Sequence, residues 1–269
     1  MQVPMSPVRI LNRAVKLYPE KTAVVDGDLR LSYAEVQKRV NQVVHAVADL
    51  EITPGGRVAV LDFNTHRYME LYFGMAASGR VLAPLNTRLS AEEYTYILND
   101  AGAEAIVFHA DFLPILEQIH SHIDSIRYFY IADGPAEADW ITGTYADWID
   151  AAADTPAGGE PADENATLNL YYTSGTTGNP KGVMLTHRNI YANALTTIIS
   201  FKLGDATVWH HIAPLFHLAD AFFIWSVTYQ RERLARFKVP KTIQMLSELP
   251  KTGSGKILKT ELRRQFSGQ

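Results

Sequence analysis

The chain of 269 residues has no cysteine, which excludes a disulfide framework and a thiol nucleophile and fits a reducing, cytoplasmic location. It also lacks an unbroken apolar stretch of membrane-spanning length. The longest candidate, residues 212–229, is interrupted by Pro214, His217 and Asp220, so no transmembrane segment is expected. The first residues, Met1-Gln-Val-Pro-Met-Ser-Pro, offer neither a basic leader nor an apolar core, and no signal peptide is expected. Positive charge is not in excess. A formal net charge of −4 argues against general nucleic-acid binding. No Gly-x-x-x-x-Gly-Lys-Ser/Thr loop occurs, and His210, His211 and His217 have no recognised zinc spacing.

What is present is the material of a folded α/β protein. A hydrophobic share of 47% with 20% charged residues supplies a core and excludes wholesale disorder, and the length allows one large domain or two ordinary ones. Residues 7–18 carry Val8, Leu11, Val15 and Tyr18 at helical spacing. Asp26-Gly-Asp between two short apolar runs reads as a hairpin. Ser32 with Glu35, and Ser90 with Glu93, read as capping boxes, the first opening a helix whose buried stripe is Val36, Val40, Val43, Val44 and Val47. Strand-like runs at 57–61, 81–84, 104–108 and 127–131 alternate with helical segments at 65–78, 90–100 and 112–119. That alternation predicts a mostly parallel sheet flanked by helices on both faces. Residues 151–164 read as a solvated loop, 187–200 as a helix capped by Thr186, and 207–212 as a further strand. From Gln230 onward ten basic side chains face three acidic ones, a charge of +7 that leaves −11 for the preceding residues. A break of that size suggests a domain boundary near Tyr229.

The most informative stretch is Tyr171-Tyr-Thr-Ser-Gly-Thr-Thr-Gly-Asn-Pro-Lys-Gly-Val-Met-Leu-Thr186. Apolar runs at 168–172 and 183–185 read as strands entering and leaving it. Glycines let backbone N–H groups converge on one anion, the hydroxyls of Thr173, Ser174, Thr176 and Thr177 add donors, and Lys181 adds a mobile positive charge. Such chemistry suits a polyphosphate. A glycine-rich surface hairpin is the plain alternative, although Ser-Gly-Thr-Thr-Gly followed by Pro-Lys-Gly is more particular than a turn requires.

From Tyr172 to Asn189 the sequence closely resembles the phosphate-binding signature of the adenylate-forming (AMP-binding) superfamily. Pro250-Lys-Thr-Gly-Ser-Gly-Lys256 resembles a second motif of that family, most like fatty acyl-CoA synthetases. The resemblance implies a ligase that joins a carboxylic acid, such as a fatty acid, to coenzyme A, using ATP and Mg2+ through an acyl-adenylate. It implies that Thr173, Ser174, Gly175, Thr176, Thr177, Gly178 and Lys181 cradle the β- and γ-phosphates, and that Thr173 shares the metal. Lys256 becomes the catalytic lysine of the first step, and His217 lies beside the acyl pocket. On the residues alone, His217 also fits a packed, hydrogen-bonded histidine at a helix start, and Lys256 a solvated lysine in a basic turn.

The resemblance further implies that residues 1–229 are a truncated large N-terminal domain and residues 230–269 a remnant of the small C-terminal α/β lid domain. The family's Tyr-Gly-x-Thr-Glu and Thr-Gly-Asp motifs, which hold magnesium and ribose, do not occur in the 269 residues, nor does the Gly-Arg-x-Lys-like hinge. The expectation is therefore a family member with a large internal deletion joined near Tyr229 and Gln230, catalytically impaired. The alternative is a non-catalytic nucleotide-binding or interaction remnant. Losing the deleted segment should also strip packing from Phe222, Phe223, Ile224 and Trp225, giving an exposed apolar patch that promotes self-association.

Overall fold

A computed structural model describes residues 3–135, 138–161, 163–173, 179–204 and 207–229. The chain opens with α1 (Val8–Leu17), followed by an isolated antiparallel hairpin of β1 (Thr22–Asp26) and β2 (Leu29–Ser32). Next comes α2 (Tyr33–Asp49), started by the expected capping box. The Glu35 backbone N–H donates to the Ser32 hydroxyl at 3.2 Å, and the Ser32 N–H donates back to the Glu35 carboxylate at 2.7 Å. All five valines of its stripe are buried. Strand β3 (Arg57–Leu61), α3 (His66–Ser78) and β4 (Val81–Pro84) follow. Gly74 lets α2 and α3 approach closely, since a Cβ there would lie 2.3 Å from the Val43 side chain. The second capping box, Ser90 with Glu93, starts α4 (Ala91–Ala101), which leads into β5 (Ala103–Phe108), α5 (Leu113–Ile119) and β6 (Tyr128–Ile131). A two-residue β7 (Gly143–Thr144) and α6 (Tyr145–Asp150) complete this region. The sequence pattern gave no sign of either.

The strands form one seven-stranded sheet in the order β7-β6-β5-β3-β4-β8-β9, where β8 is Thr167–Thr173 and β9 is Lys181–Thr186. Every neighbouring pair is parallel except β8 with β9. Alternation along β3 sorts the core. Val58 and Val60 face the helices α2 and α3, while Ala59 and Leu61 face α4 and α5. The α/β architecture with a mostly parallel sheet and helices on both faces is thus the one the strand–helix alternation implies. Two last helices, α7 (His187–Phe201) and α8 (Leu218–Tyr229), pack on each other beyond β9.

Two local expectations are corrected, and a third is filled in. Residues 207–212 form no strand, because the carbonyls of His211 and Ala213 accept from the Asn64 side chain at 2.9 and 2.8 Å instead of joining a ladder. Phe223, Ile224 and Trp225 are buried at 4%, 4% and 0% exposure, with Trp225 edge-on to Phe73 at 4.4 Å, so they form no apolar patch. The stretch 151–164 is the irregular, mostly exposed loop expected, fastened where the Asn41 side-chain amide donates to the Asp154 carbonyl and where Gly159 N–H donates to the Ala77 carbonyl.

Candidate functional site

The glycine stretch is carried on the β8–β9 hairpin. Because β8 runs parallel to β4, Thr173 at its end lies at the same edge of the sheet as the carboxyl ends of β3 to β6. In open α/β sheets that edge is where ligand crevices form. Thr173 pairs in register with Lys181 across the hairpin, and both side chains are exposed. A hydroxyl and an ammonium therefore flank the mouth of the connecting loop, where both can donate to an anion. Ser174, Gly175, Thr176, Thr177 and Gly178 lie outside the described residues, as does Lys256.

Two consecutive tyrosines brace this hairpin from opposite faces, as strand alternation requires. Tyr171 is buried toward α3, with its oxygen 2.7 Å from that of Tyr72. Tyr72 in turn donates to the Leu215 carbonyl at 2.9 Å. A phenol has one proton, so Tyr171 is the donor in the tyrosine pair. Burial raises the pKa of both phenols, keeping them protonated. Tyr172 points to the other face and donates to the Asp100 carboxylate at the end of α4 at 2.6 Å. Burial and then that carboxylate push its pKa up as well. Its ring covers Gly182, its partner in register, where a Cβ would meet Tyr172 Cζ at 3.1 Å and Leu170 Cδ1 at 2.9 Å.

A second segment, residues 207–217, is pinned to the same edge. Asn64, in the turn after β3, accepts from Leu215 N–H at 2.7 Å through its side-chain oxygen while its amide donates to the two carbonyls named above. Asp220, buried at 4% exposure, accepts from Trp209 Nε1 at 2.9 Å and contacts His211 Nδ1 at 3.2 Å. Burial lowers the His211 pKa, partly offset by Asp220. His217 is exposed and caps α8: its Nδ1 accepts from Ala219 N–H at 3.1 Å, so the neutral ring carries its proton on Nε2. The helix-start reading of His217 holds for its position and hydrogen bond but not for packing, since the ring is exposed. Thr173, Lys181 and the segment ending at His217 gather at one sheet edge. Among the described residues no group of three or more His, Asp or Glu side chains could hold a metal ion, and no helix is long and apolar enough to cross a membrane.

A family model described as "AMP-binding enzyme" matches residues 11–247, most of the chain. The chain belongs to the AMP-binding enzyme family. The 4-hydroxybutyrate–CoA ligase 2 of Metallosphaera sedula is 30% identical over 227 residues, covering 82% of this chain and 41% of that relative. The long-chain-fatty-acid–CoA ligase FadD13 of Mycobacterium tuberculosis is 29% identical over 276 residues, covering 90% of this chain and 51% of the relative. Among solved structures, the anthranilate CoA ligase AuaEII in complex with anthranoyl-AMP superposes with a TM-score of 0.76 at 25% identity, over 85% of this chain and 44% of that one. The chain thus spans about half, or less, of the length of the relatives it matches. The sheet and its flanking helices are those of the N-terminal domain of adenylate-forming enzymes.

Within the family framework, reading the sequence missed Asn64, Tyr72, Asp100 and Asp220. Asp220 had counted only as an interruption of an apolar run. The signal available was the Tyr171-Tyr172 pair, because neighbours on a strand must send their hydroxyls to opposite faces.

Proposed function

We propose that this chain is the nucleotide- and acid-handling part of a carboxylate–CoA ligase of the fatty acyl type, with turnover impaired by a missing central segment. The observation that carries the reading is the hairpin with Thr173 opposite Lys181 at the carboxyl edge of the sheet, in a chain of the AMP-binding enzyme family. The relatives named above are CoA ligases of carboxylic acids, which supports the acid–thiol class.

In the first step a carboxylate oxygen attacks the α-phosphorus of ATP. The bridging bond to the β-phosphate breaks, and pyrophosphate leaves with the electron pair. Thr173, the glycine loop with Ser174, Gly175, Thr176, Thr177 and Gly178, and Lys181 hold the β- and γ-phosphates by donors and charge. Lys256 bridges the carboxylate and the α-phosphate, its compact charge offsetting what develops there. His217 borders the acid. In the second step the thiolate of coenzyme A attacks the acyl carbonyl, and AMP leaves. Magnesium usually takes one or two carboxylates plus phosphate oxygens. Thr173 would offer a hydroxyl to an ion carried by the nucleotide phosphates; among the described residues there is no group of three or more His, Asp or Glu side chains that could hold a metal by itself.

The absent Tyr-Gly-x-Thr-Glu and Thr-Gly-Asp motifs support impairment, and they also support the second reading, a nucleotide-binding remnant without catalysis. Each lost charged or bidentate group costs on the order of a hundredfold in rate. The domain reading, residues 1–229 as truncated large domain and 230–269 as lid remnant joined near Tyr229, belongs to the same proposal. Sequencing the gene and transcript across that junction tests it directly.

Carboxylate-dependent exchange of pyrophosphate into ATP, run with short to long fatty acids, decides activity. The expected result is no exchange above the Lys256→Ala background, together with a melting temperature raised by ATP. Robust exchange lost in Lys256→Ala would establish a working ligase and sink the impairment. No exchange and no ATP-dependent stabilisation would sink both readings.

A further inference from the structure

We infer that Tyr72 is a positioning residue that ties the stem of the glycine loop to the segment leading to His217, so that ordering one orders the other. This inference rests on the proposed roles of the two segments as the phosphate and acid sides of one site. Four residues form an unbroken hydrogen-bonded line, buried at Tyr171, Tyr72 and Leu215 and half-buried at Asn64. Tyr171, two residues before Thr173, donates to Tyr72 at 2.7 Å. Tyr72 donates to the Leu215 carbonyl at 2.9 Å, and the Leu215 N–H donates to Asn64 at 2.7 Å. Leu215 is two residues before His217. Tyr72 is fully buried, as is nearly all of Tyr171, so no water can stand in for a missing hydroxyl without rearrangement.

The line is specific. Strand alternation sends Tyr171 toward α3 and Tyr172, whose hydroxyl is committed to Asp100, to the opposite face. Tyr72 cannot satisfy both neighbours unless it donates one way and accepts the other. Losing its hydroxyl orphans the Tyr171 proton and the Leu215 carbonyl together. The segment 207–217 has no ladder of its own, so its order depends on side chains such as Asn64 and Tyr72. A displacement of β8 by a bound anion at its tip is therefore transmitted to the acid side without any contact between the ligands.

The full chain provides a matched control. Tyr68 lies one turn earlier on α3 and is also fully buried; its ring packs beside that of Tyr72 at 5.9 Å, but its hydroxyl donates to the Asp62 carbonyl at 3.4 Å, away from both segments. Amide hydrogen exchange, read by peptide over residues 165–186 and 207–217, is compared in wild type, Tyr72→Phe and Tyr68→Phe, each with and without ATP. Tyr72→Phe is expected to speed exchange of 207–217 by roughly fivefold to tenfold, while Tyr68→Phe leaves it within about twofold. ATP is expected to protect both segments in wild type and only 165–186 in Tyr72→Phe. Equal behaviour of the two variants, or ATP protection of 207–217 that survives in Tyr72→Phe, overturns the inference. A wild-type chain that ATP leaves unprotected sinks the nucleotide reading instead, and the contrast between the two variants then still decides the mechanical link.

Discussion

The two ends of the sheet are built to different standards. From β6 to β4 both faces are covered by helices, and the apolar residues of β3, β4 and β5 are buried on both sides. At the β9 end the apolar surface is open. Val183 and Met184 are 44% and 65% exposed, and beyond them Ile199, Phe201, Val208 and Ile212 also face solvent. The covered end is a finished core. The open end is where polar ties, rather than apolar packing, hold the candidate site. That difference locates the open apolar surface on β9, α7 and the segment 207–212, away from residues 222–225 in the middle of α8 where the sequence suggested it. We propose that this surface is where the chain self-associates.

Substitutions that break the contrast should do so unequally. Phe108→Ala removes a fully buried ring stacked on Trp140 in the covered half, and should cost about 3–5 kcal/mol in urea unfolding. His187, at the start of α7, comes next. It is 1% exposed beside the Ser6 hydroxyl at 3.3 Å, and burial pushes its pKa from 6.5 down to about 4. The unfolded chain then binds the extra proton first, so this contribution is complete above pH 6.5 and is lost as pH falls toward 4. The loss should reach about 3 kcal/mol and should vanish from the pH profile of a His187→Gln variant. Tyr172→Phe, which cuts a partly exposed tie to Asp100, should cost only about 1 kcal/mol but should weaken ATP-dependent stabilisation more than Phe108→Ala does at matched stability. Met184→Lys, at the open end, should change stability by less than about 0.5 kcal/mol. It should nevertheless shift light scattering toward monomer; unchanged scattering would remove β9 from any self-association surface.

Much of the covered half was legible because its signals are local. Both capping boxes, the valine stripe of α2, the β1–β2 turn and the strand–helix alternation each need only a few neighbouring residues. The hairpin under the glycine stretch was legible for the same reason. The segment 207–212 misread as a strand because its partner is one asparagine side chain after β3, and no local pattern announces a contact across that distance. Trp225 and its neighbours misread because an apolar helix does not say which surface covers it. Here α1, α3 and α7 do. The short β7–α6 unit was invisible because two strand residues carry no periodicity. Thr173 and Lys181 were legible as site candidates from residue type, whereas Tyr72 and Asn64 look like ordinary helix and turn residues until the fold aligns them.

One joint described above has a consequence for the order in which the molecule assembles. Strand β8 is registered against β4 through Leu82 and Asn169, and Asn169 is fully buried with neither side-chain amide atom partnered among the described residues. The hairpin on one side of that joint closes across the seven residues 174–180, a local event. The pairing of Val58 with Ala105 on the other side must wait for a helix, a strand and another helix to intervene. Local pairings form quickly and distant parallel ones slowly. The hairpin and the parallel half are therefore expected to form on separate timetables, with the β4–β8 seam at Asn169, which pairs residues 87 apart, expected to close after both.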